Sequence, residues 1–131
     1  MPVKTSVIIV SYNNWETTTR DCLASLLNNN RDESIEFIVV DNNSTDKTPE
    51  ILKTLAMEHK ELKIQLNTEN RGFAGGNNDG VRISAGDIVI LLNSDTIVPY
   101  GAIKKMSTML EENPGWAMLG PVTNQAGNEQ K

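Results

Sequence analysis

Asp87-Ile-Val-Ile-Leu-Leu-Asn-Ser-Asp-Thr96 decides the fold. Its apolar stretch, Ile88 to Leu92, is continuous and rich in branched side chains. Such a run predicts a strand buried on both faces, as in a parallel sheet. It breaks into Asn93-Ser94-Asp95, an oxygen-rich step at the strand's carboxyl end. Open α/β sheets bind ligands just beyond such ends. A carboxylate and an amide two residues apart can both offer oxygens to a hard cation. Taken alone, the triplet reads better as a loop whose side chains satisfy nearby backbone N–H groups. The surrounding chain reverses that preference.

Working outward, Pro99 precedes a helix with Ile103, Met106 and Leu110 on one stripe, closed by Asn113-Pro114-Gly115. Trp116 to Leu119 is read as a fifth strand, and from Gly120 onward the chain is polar and aperiodic. Upstream, Asn70-Arg-Gly-Phe-Ala-Gly-Gly-Asn-Asn78 leads into a helix carrying Val81 and Ala85, closed by Gly86. Leu62-Lys-Ile-Gln-Leu66 alternates, which implies one wet face and an edge strand. Ser6 to Val10 and Ile35 to Val40 are the first and second strands. Each ends in a polar break, Ser11-Tyr-Asn-Asn14 and Asp41-Asn-Asn-Ser-Thr-Asp46. Asn14 is expected to cap a first helix whose stripe is Cys22, Leu23, Leu26 and Leu27, stopped by Asn28-Asn-Asn30. Thr48 before Pro49 is expected to cap a second, with Ile51, Leu52, Leu55 and Ala56 inward.

Alternating strands and helices predict a mostly parallel α/β sheet with right-handed crossovers. With the third strand at the edge, the simplest order is 3-2-1-4. The sheet then switches direction between strands one and four. Tyr12-Asn13 and Asn93-Ser94-Asp95 are expected to floor that crevice, with Asp41 one strand away.

Composition narrows the function. The 131 residues make one domain or part of a larger one. A net charge of -5 disfavours nucleic acid as a partner, because that needs clustered cations. The single Cys22 excludes an internal disulfide and a multi-cysteine zinc site, and it reads as a core thiol. No apolar run approaches the roughly 20 residues that span a bilayer. Met1 to Val10 lacks signal-peptide features, so a reducing, cytosolic setting is the default. His59, inside Glu58-His-Lys-Glu61, reads as part of a solvated face.

The glycines Gly72, Gly75, Gly76 and Gly80 match neither the dinucleotide fingerprint nor a P-loop. They suit tight helix packing, or close approach of backbone to a phosphate or sugar with Arg71 adding charge. Asp41 suits an Asx-turn, or acceptance of the imide N–H of uracil or thymine. Tyr12 suits a core or surface ring, or a base-stacking platform.

Together, Val7-Ile-Ile-Val-Ser-Tyr-Asn13, Val39-Val-Asp-Asn-Asn-Ser-Thr-Asp46, Asn70 to Asn78 and Leu91-Leu-Asn-Ser-Asp-Thr96 resemble the family 2 glycosyltransferases. The resemblance covers the chain to about Pro121 and implies the nucleotide-sugar-binding half of a GT-A fold. Residues 1–120 would form that half, and 121–131 would begin the acceptor half. By this resemblance Tyr12 and Asp41 hold the base, and Arg71, Gly75 and Gly76 flank ribose and diphosphate. Asn13, Asn43, Asn93 and Ser94 complete the nucleotide-sugar site, and Asp95 is the ligand for Mg²⁺ or Mn²⁺. The implied activity is inverting transfer from a UDP- or dTDP-linked sugar to an acceptor hydroxyl. The acceptor class is glycan, lipid-linked glycan or protein. A cytoplasmic setting at the inner face of the membrane and cell-envelope polysaccharide chemistry go with it.

Two departures stand out. Asn93 replaces the first acid of the D-x-D motif, as in members resembling rhamnosyltransferases. The family's base lies well beyond that motif, whereas this chain ends about 36 residues after Asp95. The chain therefore reads as a fragment without an assignable base, since Glu111, Glu112 and Glu129 lie outside the crevice pattern. Uncovered apolar surface would then favour a homo-oligomer. Rival readings are a module that binds nucleotide sugar without transfer, a nucleotidyltransferase, and a purely structural domain. The second would need a Gly-rich, basic loop after the first strand, and the third leaves the polar strand ends unexplained.

Overall fold

A computed structural model describes residues 2–122. The strands are β1 (Thr5–Ser11), β2 (Ile35–Asp41), β3 (Leu62–Leu66) and β4 (Ile88–Leu92). The helices are α1 (Arg20–Asn29), α2 (Thr48–Glu58), α3 (Gly72–Ile83) and α4 (Ala102–Glu112). The sheet has the order β3-β2-β1-β4 and every pairing is parallel. The alternating strand lies at an edge, as its pattern requires.

Parallel strands need covering on both faces. On one face, Val7, Ile9, Phe37 and Val39 pack with Cys22, Leu23 and Leu26 of α1, Leu52 of α2 and Ile103 of α4. On the other, Ile8, Ile38 and Val40 pack with Ile83 of α3. This second layer is thin, and it accounts for a correction. β4 is not buried on both faces: Ile90 and Leu92 pack on the larger core, but Leu91 is 55% exposed and Val89 is also exposed. In register, Val89 and Leu91 lie beside Ser6 and Ile8. They share the face that α3 covers over β1 and β2.

Glycine sets how closely α3 sits. A Cβ on Gly76 would lie 2.7 Å from Val10 Cγ1, and one on Gly80 would lie 2.5 Å from Ile8 Cγ2. The glycine cluster is thus inside the helix, where the sequence placed a loop before it. Gly72, at φ +70°, makes the turn into α3. The helix expected to carry Val81 and Ala85 ends at Ile83, so Ala85 falls beyond it, and Val81 is exposed.

Other boundaries shift for similar reasons. Before α1 comes a π-helical turn, Trp15–Thr19, which buries Trp15. Asn14 stands at its cap position, but its side chain makes no capping bond. Thr48 is the first residue of α2 and does not cap it. The Asp46 carboxylate accepts from Thr48 N–H at 2.9 Å instead. α4 begins at Ala102, after Gly101 at φ +70°. Trp116 to Leu119 forms no strand, and Trp116 and Met118 are exposed. Among the described residues no helix is long and apolar enough to cross a membrane. Beyond Pro121 and Val122, the polar segment 121–131, with Glu129, lies outside the described residues.

Candidate functional site

The carboxyl ends of β1, β2 and β4 carry the polar residues singled out above. β1 and β2 end side by side, with Ser11 opposite Asp41. Asp41 is buried, and both its oxygens are engaged by one residue. Ser44 N–H donates to Oδ2 at 2.9 Å and Ser44 Oγ donates to Oδ1 at 2.5 Å. The local turn foreseen as the alternative for Asp41 is therefore present. Ser44 Oγ also accepts from Asn13 N–H at 2.9 Å. Asn13 Oδ1 accepts from Thr45 N–H at 2.8 Å. The loops after β1 and β2 are thereby joined. Asn13 (φ +50°) and Asn43 (φ +66°) both occupy the left-handed region, where asparagine is better tolerated than most side chains.

Asn14 makes the other connection. Its Oδ1 accepts from Ser11 Oγ and Thr19 Oγ1, each at 2.8 Å, and from Tyr12 N–H at 3.2 Å. Its Nδ2 donates to Ser94 Oγ at 2.9 Å. The side chain expected to cap a helix instead ties the Asn93-Ser94-Asp95 turn to the end of β1. A cleft of about 350 Å³ opens there, lined by Val10, Asn14, Thr17, Thr18, Phe73, Asn93, Ser94 and Asp95. The Asp95 carboxylate is exposed, and neither of its oxygens makes a hydrogen bond or ion pair with the other described residues.

Arg71 stands apart from this cleft, with Nη1 3.2 Å from Asp79 Oδ1. Asp79 is buried and also binds Arg82 and Asn67 Nδ2. Asn67 Nδ2 donates in turn to Asn42 Oδ1 at 3.0 Å, and Asn42 Nδ2 donates to Gly72 O at 2.9 Å. This network holds the N-terminus of α3 against the ends of β2 and β3. Gly76 is buried in packing, and a Cβ on Gly75 would meet Arg71 Cβ at 2.8 Å. Tyr12 is 47% exposed and lies outside the cleft lining.

The structure thus brings Asn93, Ser94 and Asp95 together in one cleft. It joins Asn13 to Asp41 through Ser44, and sets Arg71 apart in its own ion-pair network. Sequence reasoning missed Ser44, Asn42, Phe73, Thr17 and Thr18, and it gave Asn14 another task. The Asp41-x-x-Ser44 spacing was a usable signal for the turn. A larger concavity, about 890 Å³, lies between the C-terminal end of α1 and α4, and none of the predicted nucleotide-sugar or metal residues lines it.

Two further groups bear on the chemistry. Burial pushes the Cys22 thiol up to about 11, against a lowering contact from the Thr96 backbone and with Asp95 adding repulsion. Cys22 therefore stays a neutral core thiol, as read. Glu36 is buried as the second residue of β2. Burial alone would raise its carboxyl, but bonds from Lys63, Ser6 and the Ala85 N–H outweigh it and hold the group below the usual range.

For a metal, the donor set is sparse. Among the described residues no group of three His, Cys, Asp or Glu side chains could hold an ion. The triplet offers the Asp95 carboxylate and the Asn93 amide oxygen. Mg²⁺-type ions commonly take one or two carboxylates and complete their shell with phosphate oxygens and water. The residues present fit that mode and do not form an all-protein cage.

The sequence model described as glycosyl transferase family 2 matches residues 6–130. The chain is 30% identical over 120 residues to a poly(ribitol-phosphate) beta-glucosyltransferase of Bacillus spizizenii, a match covering 90% of this chain and 19% of that protein. Staphylococcus aureus TarS, solved in complex with UDP-GlcNAc, superposes with a TM-score of 0.73 at 26% identity, over 86% of this chain and 32% of that one. A mannosyltransferase from Pyrobaculum calidifontis, in complex with GDP-Man and Mn²⁺, superposes with a TM-score of 0.67 at 28% identity, over 77% and 31%. The chain spans about a fifth of the first relative and about a third of each solved chain. With the parallel 3-2-1-4 sheet and its polar strand ends, these matches establish that the chain belongs to glycosyl transferase family 2.

Proposed function

We propose that residues 1–120 form the donor-binding half of a glycosyltransferase. They hold a UDP- or dTDP-linked sugar with Mg²⁺ or Mn²⁺, for inverting transfer to an acceptor hydroxyl on a glycan, lipid-linked glycan or protein. The observation that carries this reading is the pair of side-chain links at the strand ends. Asn13–Ser44–Asp41 joins the loops after β1 and β2, and Asn14–Ser94 joins the loop after β1 to the triplet. Three adjacent strand ends then present one polar surface at the switch in sheet direction, where such sheets bind ligands. The donor-bound relatives support a nucleotide-sugar ligand of this general kind.

In this reading Asp41 accepts the imide N–H of the base and Tyr12 stacks on it. Asn13 and Asn43 shape the loops around the ribose. Arg71, with the Gly75-Gly76 stretch of α3, flanks the ribose and the part of the diphosphate that lies outside the cleft. Asp95 and Asn93 would hold the ion, which supplies Lewis-acid stabilisation of the departing diphosphate. Ser94 keeps the triplet in place through Asn14. A free, buried Cys22 suits a cytoplasmic setting at the inner face of the membrane, and envelope polysaccharide as the product is in keeping with the poly(ribitol-phosphate) beta-glucosyltransferase relative.

One observation favours a narrower reading for the 131-residue chain by itself, namely donor binding without transfer. Among the described residues Asp95 is the sole carboxylate lining the cleft, and it is assigned to the ion. An acceptor hydroxyl needs a general base within hydrogen-bond reach. Glu111 pairs with Lys4, away from the cleft. A thermal-shift panel of UDP, dTDP, GDP and CDP, each with Mn²⁺, Mg²⁺ or EDTA, tests binding. A ligand at about 100 times its Kd adds roughly 2.7 kcal/mol. Metal-dependent stabilisation by UDP or dTDP is expected, with no acceptor-dependent turnover. No stabilisation by any of the four would overturn the donor reading. Steady turnover would overturn the binding-only one.

A further inference from the structure

Among the described residues Phe73 is the one aromatic ring lining the cleft beside the triplet. It is the second residue of α3, directly after the Gly72 turn, and it is 57% exposed. Isolated exposed apolar residues are ordinary. This one shares a cleft wall with side chains of a different kind. Asn93 brings an amide, Thr17 and Thr18 hydroxyls, and Asp95 a carboxylate, while the Asn14 amide is engaged with Ser11, Tyr12, Thr19 and Ser94. Among the described residues no lysine or arginine lines this cleft, and Arg71 is held on Asp79 outside it.

That composition separates two ligand chemistries. A phosphate is recognised by cations and by charge-assisted bonds. Here it would be held through the ion on Asp95 and Asn93 at one end of the cleft, since the described lining has no cationic side chain for the rest of the space. A neutral sugar ring presents hydroxyls around its rim and C–H groups on its faces. The rim matches an amide, hydroxyls and a carboxylate. The slightly positive C–H face matches the negative face of an aromatic ring. The cleft, at about 350 Å³, lies at the low end of small-molecule sites, roughly 300–1,000 Å³. It suits a single sugar ring better than a whole nucleotide sugar.

We propose that Phe73 is the platform for the sugar ring of the donor. The inference rests on the donor-binding reading and adds what that reading leaves open: which surface distinguishes a nucleotide sugar from a bare nucleotide. The Thr17 and Thr18 hydroxyls then serve the ring's rim. Each makes only a long bond to Asn14 O, at 3.3 and 3.4 Å, and keeps its acceptor side free.

The test compares wild type with Phe73→Ala and Phe73→Trp by titration calorimetry with Mn²⁺. The probes are UDP, dTDP, UDP-GlcNAc, UDP-glucose and dTDP-rhamnose. Phe73 is exposed, so both variants should melt with wild type. In Phe73→Ala the sugar nucleotide that wild type binds best should weaken by about three- to tenfold, the range of one aromatic contact. Binding of UDP and dTDP should stay unchanged, and Phe73→Trp should retain the sugar preference. Equal weakening of UDP and its sugars would overturn the inference and assign the ring to the base. Unchanged binding of every probe in Phe73→Ala would overturn it as well. Wild type binding none of the probes would instead sink the donor reading on which it stands.

Discussion

Asn14 Nδ2 donates to Ser94 Oγ across 2.9 Å, joining residues 80 positions apart in the chain. The Oδ1 of the same side chain gathers Ser11, Thr19 and the Tyr12 N–H. One amide therefore fixes the end of β1, the turn before α1 and the triplet after β4. Asn14→Ala leaves these donors unmatched. An unsatisfied buried group costs about 1–3 kcal/mol, and a loss in that range is expected in urea unfolding. A melt indistinguishable from wild type would show that water replaces the amide at no cost.

Asp95 is exposed and has no partner among the described residues, so its removal should leave the fold intact. Asp95→Ala is expected to abolish the Mn²⁺-dependent part of UDP or dTDP binding, with an unchanged melting temperature. Calorimetry with and without EDTA reads both. Persistent metal dependence would move the ion away from the triplet.

Asp41 is expected to select the base. A carboxylate accepts the imide N–H of uracil or thymine, and the amino-bearing edge of cytosine offers no match. Asp41→Ala should weaken UDP or dTDP by about 1.5–3 kcal/mol, the range for a bond to a charged group. Ser44→Ala should weaken them less, since it removes only the hydroxyl bond that orients Oδ1 and leaves the carboxylate with its backbone N–H bond at Oδ2. Wild type binding CDP as well as UDP and dTDP would end this assignment.

Gly80 tests the packing of α3. A Cβ there would lie 2.5 Å from Ile8 Cγ2, a branched side chain with 0% exposure. Gly80→Ala should destabilise by about 1–3 kcal/mol through overpacking, despite alanine's better helix propensity. Neutral or raised stability in chemical unfolding would mean that the helix shifts freely on the sheet.

Glu36 predicts a pH signature. Its folded carboxyl is held below the ordinary value of 4.5, because Lys63, Ser6 and the Ala85 N–H outweigh burial. A lowered acid contributes stability above its unfolded value and loses it as pH falls through its folded value. Glu36→Gln should therefore cost about 1.5–3 kcal/mol at pH 7. The gap between variant and wild type should close as pH drops below 4.5. A gap independent of pH would attribute the loss to packing and not to charge.

Much of the architecture is legible in the chain itself. Four short strands with turn residues between them predict a parallel α/β sheet, and the alternation in Leu62–Leu66 alone places that strand at an edge. Hydrophobic period is a local property, so it survives without tertiary knowledge. The Asn93-Ser94-Asp95 step is legible for the same reason: a polar triplet directly after an apolar run marks a strand end.

Tertiary structure decided what each polar side chain does there. Nothing local distinguishes an Asn14 that caps a helix from one that reaches Ser94. Nor does Ile35 to Val40 reveal that Glu36 is buried with a lysine from the neighbouring strand. The exposure of Leu91 was hidden likewise, because it depends on how far α3 extends over the sheet. These outcomes are set by partners 27 to 80 residues away. The sequence by itself determined the sheet, its order and the family. The fold alone determined which amides, hydroxyls and carboxylates are spent on holding it together and which, like Asp95, stay free. Backbone periodicity is written into neighbouring residues, whereas side-chain pairing exists only once the strands are side by side.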